Sequence, residues 1–260
     1  MKKPNELSIA IYAAKMAGKL ITQQIKRKKI VGYKSKVDFV TNVDKNSEKL
    51  ITSILRRNFP EYGILAEEGT RIERENIWII DPLDGTTNFM HNYPFFCVSI
   101  ALVENGKQKL GVVYDPIRKE MFYAFIGKGA FLNGKKITVS DTKRLEDSLL
   151  VTGFYYERGD IMNKTLKKME EFLSRGVHGV RRDGSAALDL CYIACGRYDG
   201  YWEYVLNPWD FAAGSLIAKE AGAIVTDTQG KELEMKKSSI LVANKHIHEK
   251  MLEIVNDVQN

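Results

Sequence analysis

The chain has 260 residues, of which 44% are hydrophobic and 28% are charged. That balance is typical of globular domains and excludes a disordered or fibrous class, and the length allows a sizeable core. The formal net charge of +6 suits small anionic substrates as well as nucleic acid. Since no zinc finger, RNP-type strand or recognition-helix pattern accompanies the basic residues, nucleic acid is not the expected partner.

The sequence lacks the marks of a secreted or membrane protein. Its three cysteines do not have the CxxC spacing of a zinc or redox site; they are Cys97, Cys191 and Cys195. Charges between Glu6 and Lys19 interrupt the N-terminal segment, so a secretory signal is not expected, and no apolar run approaches transmembrane length. We therefore expect a cytoplasmic protein that does not contact a membrane.

The first half of the chain predicts two helices followed by strands. Apolar residues from Leu7 to Ile25 recur at three- and four-residue spacing, which predicts an amphipathic helix. The segment KVDFVTNVDKNSEKLITSILRRNFP predicts a short strand and a helix that ends before Pro60, with Asp44 near its start. GILAEEG and IWIIDPLDGTTNF predict strands that end in acids. Two Asn-Gly pairs between Phe95 and Val139 then predict antiparallel hairpins.

The second half predicts helices alternating with strands. SLLVTGF predicts a strand, the polar segment from Lys164 to Ser174 a helix, and SAALDLCYIACGRYDGYWE a helix followed by a strand. DFAAGSLIAKEAG predicts a helix that stops at glycine, AIVTD and SSILVAN predict strands, and HIHEKMLEIV predicts a last helix. With no repeat or linker, we expect one domain over residues 1–260, made of two continuous lobes of about 1–140 and 141–260.

Acidic residues stand where predicted strands end or helices begin: Glu67, Glu68, Asp81, Asp84 and Asp210. A turn at Pro82 can aim Asp81 and Asp84 at one point, where their repulsion favours a cation between them. Oxygen ligands without His or Cys suit magnesium or manganese rather than zinc. The alternative is a pair of solvated acids that cap the following helix.

Gly-Thr-Thr follows the second acid directly. Gly85 allows a ligand to approach the backbone closely, and backbone amides at the start of a helix form an anion site. Carboxylates beside an anion site are the parts that phosphoryl chemistry needs. Thr86 and Thr87 have an alternative role as N-caps of a helix.

Three motifs, GILAEEG, WIIDPLDGTTNF and NPWDFAAGSLIAKEAGAIVTD, together resemble the inositol monophosphatase family of metal-dependent, lithium-sensitive sugar phosphatases. They occur in the family's order, and the similarity covers essentially the whole chain. Within the family, the chain resembles the archaeal-type inositol monophosphatase/fructose-1,6-bisphosphatase. The resemblance implies an α+β fold, the layered αβαβα sugar-phosphatase architecture with mixed and antiparallel sheets. The periodicities alone support only mixed α and β structure.

The resemblance also implies a metal site with two to three Mg2+ ions, or Mn2+ in their place. Glu67, Asp81 and the backbone carbonyl of Leu83 would bind one ion. Asp81 would bridge to a second ion, which Asp84 and Asp210 would complete.

The resemblance further implies three catalytic residues. Thr86 and Glu67 would orient the attacking water and take up its proton. Asp44 would reach a third, weaker ion near Glu67 through water. Attack by water in line with the leaving group needs no phosphoenzyme, which agrees with the scarcity of candidate nucleophiles.

The substrate-binding residues that the resemblance implies are Asp84, Gly85, Thr86, Arg182, Ser185, Ala186 and Glu203. Ser185 and Ala186 would lie against a sugar or cyclitol ring, and Glu203 would accept hydrogen bonds from ring hydroxyls unless it is a solvated strand-end acid. Arg181 and Arg182 suit a second phosphate, with salt bridging as the alternative.

Several further residues have open roles. Glu68 would either make a supporting hydrogen bond or be a solvated acid. Lys34 would lie either near the metal site or on the surface. Tyr155 and Tyr156 suit stacking over the pocket or packing. His91 suits the pocket mouth or a structural role.

We conclude that the sequence predicts a Mg2+-dependent phosphomonoesterase that hydrolyses inositol 1-phosphate, fructose 1,6-bisphosphate or both. A 3'(2'),5'-bisphosphate nucleotidase is the alternative within the enzyme class, and a regulatory RNA-associated family member is the alternative outside it. The resemblance also implies a homodimer.

Overall fold

The computed structural model describes residues 5–25, 31–33, 39–156 and 158–256. The helices are α1 (Glu6–Gln24), α2 (Asn42–Asn58), α3 (Thr86–Met90), α4 (Asp160–Ser174), α5 (Ala186–Ala194), α6 (Pro208–Glu220) and α7 (His248–Val255). A 3-10 turn covers Leu145–Asp147. No helix within these ranges is long and apolar enough to cross a bilayer.

The strands form three sheets. A two-stranded sheet joins β1 (Val31–Tyr33) and β2 (Phe39–Thr41). The large sheet contains β3 (Gly63–Ala66), β4 (Arg71–Ile72), β5 (Ile77–Asp84), β6 (Cys97–Glu104), β7 (Lys107–Asp115), β8 (Glu120–Phe125), β9 (Ala130–Leu132) and β10 (Lys135–Ile137), in the order β10-β9-β8-β7-β6-β5-β3-β4. The small sheet contains β11 (Leu149–Thr152), β12 (Gly179–Arg181), β13 (Gly200–Leu206), β14 (Ile224–Thr226) and β15 (Ser238–Ala243), in the order β12-β11-β13-β15-β14.

These elements stack in five layers, which confirms the predicted αβαβα fold. Helices α1 and α2 pack on one face of the large sheet, and α5 and α6 lie between the two sheets. Helices α4 and α7 cover the outer face of the small sheet. Three clusters of buried apolar side chains fill the spaces between the layers, and one of them surrounds the central helices on both sides, as amphipathic elements require.

The central layer depends on small residues. A Cβ on Gly111 of β7 would lie 2.6 Å from the carbonyl oxygen of Ala213 in α6. The bare glycine therefore lets the helix lie directly on the large sheet. Helix α6 also contacts β5 and β6 of the same sheet.

The predicted hairpins are confirmed, together with the turn chemistry behind them. Asn105 and Gly106 have φ angles of 51° and 74°, and Asn133 and Gly134 have 49° and 82°. Positive φ at both central residues is the conformation for which Asn-Gly is selected. Strands β6 to β10 accordingly form an antiparallel meander, whereas β3 and β5 are parallel. The short strands β1, β4 and β12 had no recognisable pattern in the sequence.

Candidate active site

A pocket of about 230 Å³ lies where the end of β5 meets the starts of α5 and α6. The structure brings together there nearly all of the predicted site residues: Glu67, Asp81, Leu83, Asp84, Gly85, Thr86, Arg182, Ser185, Ala186, Glu203 and Asp210. They come from widely separated parts of the sequence. Asp44 does not line the pocket and stands behind Thr86.

Strand β5 delivers two of the acids. Its register with β6 is regular up to the pair Asp81 and Ser99 and then shifts before Asp84 pairs with Cys97. The backbone N–H of Leu83 donates to Asp81 Oδ1 at 3.0 Å, and the carbonyl of Pro82 accepts from Ser47 Oγ at 2.9 Å. The turn between the two acids is thus tied to helix α2.

Gly85 turns the chain from β5 into α3. Its φ angle is 93°, and a Cβ there would lie 2.9 Å from the carbonyl oxygen of Phe95. Both the left-handed backbone and the close approach require glycine. Thr86 follows at the start of α3, and its Oγ1 lies 2.7 Å from Asp44 Oδ1 and 3.0 Å from the carbonyl oxygen of Leu83.

Asp84 joins the two halves of the chain. Its Oδ2 accepts from Ser185 Oγ at 2.6 Å and from the backbone N–H of Ala187 at 2.8 Å. Ser185, which lies 101 residues away, also caps α5 by accepting from the N–H of Leu188 at 3.4 Å. The predicted ring-contacting segment is therefore anchored on a predicted metal ligand.

Asp210 and Glu67 are positioned by local backbone contacts. Asp210 Oδ2 accepts from the N–H of Asn207 at 2.6 Å, within the capping box of α6. Glu67 follows β3, and its N–H donates to the carbonyl of Ile80 at 3.1 Å. Together with Asp81 and Asp84, these residues form the acidic cluster (Glu67, Asp81, Asp84 and Asp210).

Glu48 is a supporting residue that the sequence analysis missed. Its buried carboxylate accepts from the N–H of Glu68 at 2.6 Å and from Thr70 Oγ1 at 2.6 Å. It therefore holds the loop that carries Glu67. The available signal was its place on the apolar face of α2, three and seven residues before Ile51 and Leu55.

The acids of the acidic cluster repel one another. Burial raises the pKa of Asp81 well above its usual range, and the charges of the other three acids raise it further. Burial likewise raises the pKa of Asp84 to about 6 and that of Asp210 well above its usual range. In the described part of the chain, no three acidic, His or Cys side chains stand in metal-ligand geometry. The donor set, four carboxylates beside the backbone carbonyl of Leu83, nevertheless fits a hard divalent cation.

Asp44 is fully buried and holds Thr86. Its Oδ2 accepts from the N–H of Thr41 at 2.9 Å as part of the capping box of α2. Its Oδ1 accepts from the hydroxyl of Thr86, and burial raises its pKa. Any contribution of Asp44 to chemistry in the pocket passes through Thr86 in this geometry.

Three further residues of the pocket lining form what we call the inner wall (Asp189, Tyr201 and Glu203). Glu203 is 6% exposed. Burial raises its pKa to about 7, and the hydrogen bond from Tyr201 limits this rise. Asp189 is also buried, and its Oδ1 has no hydrogen-bond partner among the described residues. Asp189 and Tyr201 were not singled out from the sequence.

Arg182 stands beside the inner wall. Its Nη1 folds over Gly184, where a Cβ would lie 2.6 Å away. Among the described residues it makes no ion pair, so the predicted salt-bridge alternative is not found there. Its positive charge partly opposes the rise that burial causes in the pKa of Glu203 and in that of Asp189. Arg181 is exposed and does not line the pocket.

Aromatic side chains form the rim. Tyr155 and Tyr156 both line the pocket, and Tyr155 Oη accepts from Lys237 Nζ at 2.8 Å. Trp209, which the sequence analysis did not single out, also lines the pocket, with the guanidinium of Arg71 at 5.1 Å from the centre of its ring.

The remaining candidates lie elsewhere. His91 is exposed, and neither His91 nor Glu68 lines the pocket. Cys191 is buried on α5, and Cys195 is half-buried directly after that helix, in agreement with packing roles. Lys34 lies outside the described residues.

Known proteins match this chain over nearly its whole length. A family model described as "Inositol monophosphatase family" matches residues 3–260. The "Nus factor SuhB" of Pseudomonas aeruginosa is 44% identical over 246 residues, which cover 92% of this chain and 91% of that protein. The "Inositol-1-monophosphatase" of Synechocystis sp. is 44% identical over 254 residues, which cover 94% of this chain and 86% of that protein. The crystal structure of the extragenic suppressor protein suhB from Bartonella henselae has a TM-score of 0.92 at 39% identity and covers 97% of this chain and 99% of that chain.

Proposed function

Because the chain belongs to the inositol monophosphatase family, and is therefore a phosphatase, we propose that it hydrolyses inositol 1-phosphate, fructose 1,6-bisphosphate or both, with Mg2+. The observation that carries this proposal is the acidic cluster, which shares one pocket with Thr86 and Glu203. Repelling carboxylates on one side and a buried hydrogen-bond acceptor on the other suit a substrate with a phosphate at one end and a polyol at the other.

The acidic cluster would hold the cation, with Glu67, Asp81 and the carbonyl of Leu83 at one position and Asp81, Asp84 and Asp210 at a second. A third position near Glu67, and Mn2+ in place of Mg2+, are part of the same proposal. Magnesium supplies positive charge that stabilises the phosphoryl group and makes water more acidic.

The chain's own residues orient the attacking water and move its proton. The hydroxyl of Thr86 lies between Asp44 Oδ1 at 2.7 Å and the Leu83 carbonyl at 3.0 Å, which fixes its rotamer. With its proton directed to Asp44, Thr86 Oγ1 accepts a hydrogen bond from water. Glu67 takes up the proton that the water loses on attack. The buried Asp44 thus acts on the reaction by orienting Thr86.

Substrate contacts follow from the placement of the remaining residues. Gly85 and Thr86 would meet the phosphate, while Asp84, Ser185 and Ala186 would contact the ring beside it. Glu203 would accept a hydrogen bond from a ring hydroxyl. Arg182 would bind a second anionic group, since its guanidinium has no ion-pair partner among the described residues.

Further properties of the family are proposals for this chain. These are a cytoplasmic homodimer, inhibition by lithium, and one domain with two continuous lobes that meet at about residue 140, between β10 and β11. A second function, association with RNA in a regulatory complex, is favoured by the "Nus factor" name of several relatives and by the net charge of +6. The nucleotidase alternative is tested in the same experiment, with phosphoadenosine phosphate as the substrate.

A phosphate-release panel with Mg2+ tests the proposal. Its substrates are inositol 1-phosphate, fructose 1,6-bisphosphate and phosphoadenosine phosphate. We expect turnover of one or both of the first two, abolished by Asp84→Asn with an unchanged circular dichroism spectrum. Turnover of the nucleotide alone would establish the nucleotidase instead. Inert results with all three, together with RNA binding at moderate salt, would overturn the enzymatic proposal in favour of the regulatory one.

A further inference from the structure

Glu203 is held from one side by a tyrosine on its own strand. Tyr201 and Glu203 are two residues apart on β13, so their side chains lie on the same face of the small sheet. The hydroxyl of Tyr201 donates to Glu203 Oε2 at 2.5 Å, and the Tyr201 side chain is fully buried. A buried donor at this distance restricts the rotation of the carboxylate.

A glycine on the neighbouring strand leaves room for the Glu203 carboxylate. Strand β11 runs parallel to β13 with Thr152 opposite Trp202, so the next residue, Gly153, comes beside Glu203. A Cβ on Gly153 would lie 1.9 Å from Glu203 Oε2 and 2.5 Å from its carboxyl carbon. The carboxylate thus occupies the space that any other residue's side chain would need. Gly153 is required here for space rather than for an unusual φ angle.

These two contacts select one position for a side chain that otherwise has many. Fixing a glutamate side chain costs conformational entropy. If the folded protein did not already fix Glu203, this cost would reduce the affinity for the substrate. With Oε2 occupied by Tyr201, Oε1 is the oxygen that remains for a substrate hydroxyl. An acceptor fixed in advance discriminates strongly against a ligand that lacks the matching donor.

We propose that Tyr201 and Gly153 are positioning residues that fix the Glu203 carboxylate as the acceptor for one hydroxyl of the substrate's alcohol group. This inference rests on the proposed function, in which Glu203 contacts that alcohol. It extends that function because Tyr201, Gly153 and Glu203 form the arrangement that recognises the hydroxyl before the substrate binds.

Kinetics with two phosphate esters test the proposal. Inositol 1-phosphate carries ring hydroxyls, whereas the leaving group of phenyl phosphate carries no further hydroxyl. Tyr201→Phe and Gly153→Ala should each lower kcat/KM for inositol 1-phosphate about tenfold, chiefly through KM, because one hydrogen bond is weakened. Both variants should leave kcat/KM for phenyl phosphate unchanged.

Matched variants separate positioning from a general structural effect. Tyr204→Phe removes another phenol of β13, which does not line the pocket. The Tyr204 hydroxyl donates to the carbonyl oxygen of Val255 at 3.1 Å. This variant should leave the kinetics with both esters unchanged. The double variant Tyr201→Phe/Glu203→Gln should be no worse on inositol 1-phosphate than Glu203→Gln alone, since Tyr201 acts through Glu203. Equal losses on both esters, or additive losses in the double variant, would overturn the proposal.

A crystal structure of Gly153→Ala provides a readout that does not depend on turnover. We expect the Glu203 carboxylate to move away from residue 153 and to lose its bond to Tyr201. An unmoved carboxylate would overturn the positioning role even if every ester is hydrolysed normally. Wild-type protein that hydrolyses neither ester, with a displaced Glu203 in the variant, would instead remove the proposed function and leave the positioning of Glu203 intact.

Discussion

Two groups of acids line one pocket and are held in different ways. In the acidic cluster the carboxylates raise one another's pKa by repulsion in addition to burial. In the inner wall Glu203 is supported by a neutral donor, Tyr201, at 2.5 Å. Acids that repel one another are stabilised by a cation, whereas an acid that is already hydrogen-bonded is suited to accept one more hydrogen bond from a neutral group. We therefore expect the phosphate end of the substrate to bind at the first group and its alcohol end at the second.

The largest expected effect is on catalysis by the acidic cluster. Asp81→Asn should lower kcat by about 10³-fold, since positive charge worth several kcal/mol would be lost from the phosphoryl group. The fold should persist, because an amide oxygen can still accept from the N–H of Leu83 and the repulsion among the acids decreases. Phosphate release measures the loss, and circular dichroism checks the fold. Retention of wild-type kcat would show that this cluster is not the cation site.

The next largest expected effect is on stability, where added Mg2+ should distinguish the acidic cluster from the inner wall. At about 100 times its dissociation constant, Mg2+ should raise the free energy of unfolding by about 2.7 kcal/mol, because it binds only the folded chain. Chemical denaturation with Mg2+ or with a chelator measures this shift. Asp81→Asn should lose most of the stabilisation, while Asp189→Asn, in the inner wall, should keep it. An equal shift in both variants would contradict the assignment of the cation to the acidic cluster.

The smallest expected effect concerns Asp189 and has a defined pH dependence. Burial, and then the charges of Asp183 and Asp84, raise its pKa well above the usual range, so the folded chain holds this proton more tightly than the unfolded chain. Its ionisation therefore lowers stability as pH rises above the unfolded-state pKa of about 3.9. Asp189→Asn removes this loss and should raise the free energy of unfolding by about 1 kcal/mol at pH 8, with a smaller gain at pH 4.

Denaturant unfolding of wild type and Asp189→Asn at both pH values measures this difference. The exposed acid Asp141 supplies a control, since Asp141→Asn should change stability by no more than about 0.5 kcal/mol at either pH. A stability loss in Asp189→Asn that is larger at pH 8 than at pH 4 would instead show that the buried carboxylate makes a favourable contact in its charged form.

Most of the fold could be predicted because its signals are local. The spacing of apolar residues in α1, the turn chemistry of Asn133-Gly134 and the apolar run before Asp81 each depend on neighbours within a few residues. The same is true of Gly85, whose left-handed φ angle belongs to the turn between strand and helix. The motifs with these features also carried the family resemblance, and with it the predicted acids of the site.

The sequence by itself thus determined which acids are available and which elements deliver them, while the tertiary structure decided what each acid touches. Asp44 contacts Thr86 instead of lining the pocket, and Asp84 accepts from Ser185, 101 residues away. Gly153 meets Glu203 because two parallel strands share a register. Such contacts depend on how distant segments align, and a period or a turn motif contains no information about that alignment. Only packing of the layers against one another brings these atoms together.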